Sequence, residues 1–116
     1  MPYRQGDVVI VPFPFSDLAG NKVRPAVVVS NSSVNRSSDV ILVQLTTQEV
    51  TGPLTVEISN SDVSTPFKPP HDRMKAYCKK IAVVEKALIR NKITELSPEK
   101  LNEVFAGIIH ALRVER

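Results

Sequence analysis

The stretch Val23-Arg24-Pro25-Ala26-Val27-Val28-Val29-Ser30 narrows the possible folds more than any other. Its valine run reads as a buried strand, because β-branched side chains pack well on a pleated surface. Pro25 pushes Arg24 toward extended backbone. A guanidinium is therefore held on stiff backbone at the mouth of an apolar strand. Two readings stay open at this point. Arg24 is an anchor, ion-paired with Asp17 or Asp39, or it belongs to a site that handles anions.

The neighbouring segments supply more strands. Gly6-Asp7 precedes Val8 to Phe15, a strand apolar on both faces, and Pro12 and Pro14 place its second half at a sheet edge or a bulge. Residues 16–22 form a connector that turns at Gly20-Asn21, which makes a hairpin the simplest link to strand 23–30. Residues 31–38 have the composition of a mobile polar loop. Asp39 to Thr46 is a third strand, and its Val40–Val43 run fits a central position. Leu54 to Ile58 alternates, with Leu54, Val56 and Ile58 inward. Residues 59–73 are loop, Lys75 to Val84 is a further strand, and Ile89 and Ile93 belong to another short strand or turn.

The last element is a helix over 98–113. Ser97 is a good N-cap, Pro98 fits the first helical position, and Glu99 suits the first-turn dipole. Leu101, Val104, Phe105, Ile108, Ile109 and Leu112 recur at helical spacing, and this face is expected to pack on the sheet. The fold class is mainly β with a C-terminal α-helix. Short antiparallel strands with hairpin-length links favour a small barrel-like sheet. With 116 residues and no linker or repeat, one domain spanning 1–116 is expected.

Aromatic residues are scarce and Trp is absent, so the core must be aliphatic. Cys78 is the only cysteine, which rules out an intrachain disulfide and fits a reducing compartment. No apolar signal region or membrane-length segment is present, so a cytoplasmic protein without membrane contact is expected. Residues 68–92 carry eight basic residues against two acidic ones, within a chain of net charge +3. Such a block is either a solvated lysine-rich surface or a face for a polyanion or an acidic protein.

Familiar catalytic motifs are missing. There is no CxxC, HExxH or P-loop, and the two histidines lie far apart in sequence, so neither a metal site nor a cofactor is expected. Cys78 reads as a packing residue, His110 as a surface histidine, and His71 as a loop histidine able to approach a ligand. What remains is Arg24 with Thr46-Thr47-Gln48 at another strand end. Arginine offers bidentate donors that match phosphate oxygens, and threonine adds a hydroxyl donor.

At these residues the chain resembles the MazF/PemK family of toxins from bacterial toxin–antitoxin pairs. Gly6-Asp7-Val8-Val9, Val23 to Ser30, Leu45-Thr46-Thr47-Gln48 and Leu96-Ser97-Pro98-Glu99 follow the family's order of motifs. The resemblance implies an SH3-like antiparallel β-barrel of the MazF/CcdB type with a C-terminal helix, usually a homodimer. It implies a sequence-specific, metal-independent endoribonuclease that cuts single-stranded mRNA and is neutralised by a cognate antitoxin. Arg24 and Thr46 match the catalytic pair, and Thr47 and Gln48 match positions close to RNA. Asn21 and Lys22, beside Arg24, join them as RNA-binding candidates. The first loop departs from the family: residues 15–22 lack its Gly-Ser-Glu-Gln-type run, so loop contacts do not carry over. Two other functions fit the same fold, a CcdB-like toxin that binds DNA gyrase without catalysis, and an RNA-binding barrel that does not cleave.

Overall fold

The computed structural model describes residues 2–12, 23–68 and 73–115. Six strands form one antiparallel sheet: β1 (Asp7–Val11), β2 (Arg24–Val28), β3 (Asp39–Thr46), β4 (Thr55–Glu57), β5 (Lys75–Glu85) and β6 (Asn91–Glu95). Their spatial order is β4-β5-β3-β2-β1-β6. Helix α1 (Ser32–Asn35) links β2 to β3, and α2 (Pro98–Leu112) closes the described chain. Edge strands β4 and β6 share no ladder. The segment that follows β4 meets the end of β6 instead, through a bridge between Val63 and Leu96 and a bond from Ser64 N to Glu95 O. The sheet is thus curled and barrel-like, without full closure.

The valine-rich strands are buried on both faces, as their composition requires. One face of the sheet carries Val8, Val27, Val43, Leu45, Ala76 and Cys78 under Leu101 and Val104 of α2. The other carries Val9, Val11, Ala26, Val28, Val40, Leu42 and Val84. Burying these aliphatic side chains contributes roughly 1.5–3 kcal/mol each against the entropy of ordering the chain. Helix α2 starts as its sequence dictates, with Ser97 Oγ accepting from Lys100 N.

Several expectations needed correction. β1 is flanked on both sides, by β2 and β6, and is not an edge. Pro12 falls just past its last residue, so the missing N–H removes no ladder bond. Phe13 to Lys22, with Pro14 and Asp17, lie outside the described residues. Residues 31–38 contain the short α1, with Asn35 buried. Ser30 Oγ donates to Asn35 Oδ1 at 2.5 Å, and Asn35 Nδ2 donates to Ser30 O at 2.8 Å. Polar composition signalled a loop, but these side chains bond the backbone and hold it. Ile109 and Leu112 were expected against the sheet; they are 67% and 70% exposed, and every described residue from Ile109 on is exposed.

β5 is bent sharply. Val43 pairs with Ile81 but Leu45 pairs with Ala76, so Tyr77 to Lys80 stand against Gln44 alone. This bulge turns the first half of β5 toward β4 and brings Lys75 opposite Thr46.

Candidate functional site

Arg24 opens β2 and pairs with Val11; Pro25 pairs with Ile10. On the other side, Ala26 faces Gln44 and Val28 faces Leu42. Continuing that register sets Arg24 across from Thr46, on the same face of two adjacent strands. Both residues line a cleft of about 160 Å³, with Pro25, Leu45, Thr47, Gln48 and Met74. The sheet thus brings together four of the six expected site residues. Asn21 and Lys22 lie outside the described residues, as does His71.

Arg24 forms no ion pair with Asp39 or with any other described residue. Its Nε is buried and has no hydrogen-bond partner among the described residues. A buried charged donor left without an acceptor costs several kcal/mol in a structure chosen only for stability. Thr46 is nearly buried, and its Oγ1 accepts from Gln48 N at 3.1 Å. A hydroxyl that accepts in this way still has its own proton to donate. Thr47 and Gln48 are exposed at the rim. The cleft therefore offers a guanidinium carried on strand backbone and a held hydroxyl, both with protons to donate among the described residues. Such a pair is suited to an oxyanion or a phosphodiester.

The other reactive groups lie elsewhere. Cys78 is fully buried under α2, its Sγ donating to Val104 O at 3.6 Å. Burial pushes its thiol up to about 11, which keeps it protonated and unreactive near neutrality. His110 is exposed beside Arg113. Among the described residues, no group of three or more His, Cys, Asp or Glu is arranged to hold a metal ion. Nor is any helix long and apolar enough to cross a membrane.

Half of the basic block has polar partners within the fold. Arg73 pairs with Glu49, Lys92 pairs with Asp7 and Glu95, and Lys86 Nζ donates to Asn35 O. Lys75 is buried altogether, although sequence reasoning counted it only as part of that block. Its Nζ donates to Gln48 O at 3.2 Å and to Arg73 O at 3.0 Å. Alternation gave no sign of this, because the residues that cover it come from the turn after β3.

Strand order, curled sheet and strand-end cleft define a small β-sheet protein with a donor-lined cleft and a helix packed across one face. The model of the PemK-like, MazF-like toxins of type II toxin–antitoxin systems matches residues 4–112, and the chain belongs to that family. A mycobacterial endoribonuclease solved in complex with its cognate antitoxin is 26% identical, with a TM-score of 0.78 over 98% of each chain. A second mycobacterial endoribonuclease is 24% identical, with a TM-score of 0.77 over 100% of this chain and 96% of that one. MazF from a MazE–MazF crystal structure of Deinococcus radiodurans is 17% identical, with a TM-score of 0.76 over 99% and 100%. Among curated proteins, none matches the chain.

Proposed function

We propose that this chain is a sequence-specific, metal-independent endoribonuclease toxin of the cytoplasm that cuts single-stranded mRNA and is held inactive by a cognate antitoxin. The observation that carries the reading is the buried, unpartnered Arg24 Nε beside the Thr46 hydroxyl in one cleft. Family membership and the likeness to an endoribonuclease bound to its antitoxin support it.

In this reading the RNA 2′-oxygen attacks the adjacent phosphorus and the P–O5′ bond breaks. The products are a 2′,3′-cyclic phosphate and a 5′-hydroxyl, the proton passing overall from the 2′-oxygen to the 5′-oxygen. DNA lacks the attacking group and is spared. Arg24 neutralises charge building on the phosphorane oxygens; its own proton is held too tightly for it to act as a general base. Thr46 donates to a phosphate oxygen or the leaving oxygen. Thr47 and Gln48, with Asn21 and Lys22, contact the RNA strand. Positioning and electrostatics do most of the work, so turnover is modest.

The unit of function in this reading is one domain over 1–116, paired as a homodimer. Exposed Ile109, Leu112 and Val114 near the chain's end, together with exposed Val83, supply apolar surface for pairing. Digestion of a defined RNA, with analysis of the end groups, tests the activity. Wild type should leave cyclic phosphate and 5′-hydroxyl ends in the presence of EDTA. Arg24→Ala should be slower by about 10²–10³-fold. Arg24→Lys should not restore the rate, because the bidentate fork is lost. A folded Arg24→Ala protein that cleaves at the wild-type rate refutes the assignment. Binding without cleavage would point to an RNA-binding barrel, and arrest of replication with intact RNA to a gyrase-binding toxin.

A further inference from the structure

We propose that Lys75 is a positioning residue that holds the Thr46 end of the cleft in its working shape. The inference rests on the Arg24–Thr46 reading above. Lys75 pairs with Thr46 across the β3–β5 ladder and is only 8% exposed. No carboxylate lies within ion-pair reach of its Nζ among the described residues. Its polar partners are the carbonyl of Gln48, just past β3, and that of Arg73, just before β5.

A largely buried lysine without an ion-pair partner is an uncommon way to start a strand, where an apolar residue would serve. What the ammonium supplies is a hold on two chain segments at once. Both backbone polar groups of Gln48 are held: its N–H donates to Thr46 Oγ1, and its C=O accepts from Lys75 Nζ. The Thr46 hydroxyl is therefore oriented by a turn whose place the lysine sets. Without the ammonium, the Gln48 carbonyl keeps only the bond from Val50 N at 2.9 Å, within its own turn, and the turn loses its tie to β5. Thr46 Oγ1 then loses the N–H that fixes its rotamer, and its proton is no longer aimed into the cleft. Misplacing a reacting group by about 1 Å can cost on the order of 10²-fold in rate. A lysine that instead touched RNA directly would act on binding.

Lys75→Met keeps the apolar stem and removes the ammonium. In the folded variant, kcat should fall by roughly 10- to 100-fold with KM changed by less than about threefold. Hydrogen exchange at the Gln48 amide should speed up by about tenfold or more. In a Thr46→Val background the same change should cost less than about threefold, because the group it positions is gone. Unchanged Gln48 exchange overturns the inference. So does an undiminished loss in the Thr46→Val background, or an effect carried by KM alone. Should Lys75→Met fail to fold, Lys75→Gln, which keeps a donor for one carbonyl, carries the same measurements. If wild type does not cleave RNA, the proposed function fails, and the Gln48 exchange alone still decides whether Lys75 holds the turn.

Discussion

Gly107 sits where α2 crosses β5 most closely. A Cβ there would stand 2.5 Å from Cys78 Sγ and 3.2 Å from Cys78 Cβ. Ordinary contact between such atoms needs about 3.5–4 Å, so Gly107→Ala leaves a shortfall of about 1 Å. Cys78 has nowhere to retreat, since it is fully buried and its Sγ already faces Val104 O. The helix must lift, loosening Leu101 and Val104 from the core. Overpacking of this kind costs about 1–3 kcal/mol, and a shortfall against buried strand atoms belongs at the upper end. Alanine recovers about 1 kcal/mol of helix propensity. The expected net loss is about 2 kcal/mol, or a fall in Tm of about 8 °C for a domain of this size. Urea unfolding followed by circular dichroism reads it directly. Adding Cys78→Ala should relieve the overlap, so that the double variant recovers about 1 kcal/mol relative to additivity. If Gly107→Ala is instead more stable by the full propensity gain, or if the two changes simply add, the close approach is wrong.

Other tests address different parts of the molecule. Cys78 should resist alkylation at pH 8 in the native protein and react on unfolding. Its folded value of about 11 lies above the ordinary 9.0, so the associated stability is full below pH 9 and lost as pH rises through about 11. The hydrogen bond from Lys92 holds Glu95 below its ordinary 4.5, so that stabilisation is present above pH 4.5 and lost as pH falls through the lowered value; Glu95→Gln should flatten the acid limb of the stability curve. Asn35→Ala takes the Asn35 donor from Ser30 O and the acceptor from the Ser30 hydroxyl proton, and should cost about 1–3 kcal/mol in chemical denaturation. Ile109→Ser with Leu112→Ser should leave monomer stability within about 0.5 kcal/mol, since both side chains are exposed, while shifting sedimentation toward monomer.

The strands were legible because valine runs and alternation report burial directly, and α2 was legible from Ser97, Pro98 and its apolar spacing. Arg24 and Thr46 stood out as polar residues at the ends of apolar strands, and the register places them on one face. What the sequence could not convey depends on distant chain segments. Periodicity marks Ile109 and Leu112 as apolar but does not say how far the sheet extends beneath them. Lys75 looked like one basic residue among eight, because its burial comes from a turn far away in the chain. The β5 bulge that puts it there has no local signature in Tyr77 to Lys80. Asn35 was misread for a related reason: its side chain satisfies buried backbone, and composition records only that it is polar.

Strand order also bears on when the parts of the molecule come into being. β2 and β3 are consecutive, so Arg24 and Thr46 meet by closing a short loop. β6 joins β1 through pairs such as Val8 with Thr94, which closes nearly the whole chain and so belongs to the slow part of folding. On a ribosome, where residues appear from the N-terminus onward, the arginine and threonine are out together while Lys75 is still to come. The cleft's two donors therefore exist before the residue that steadies the threonine, and the β6 edge of the sheet comes later still.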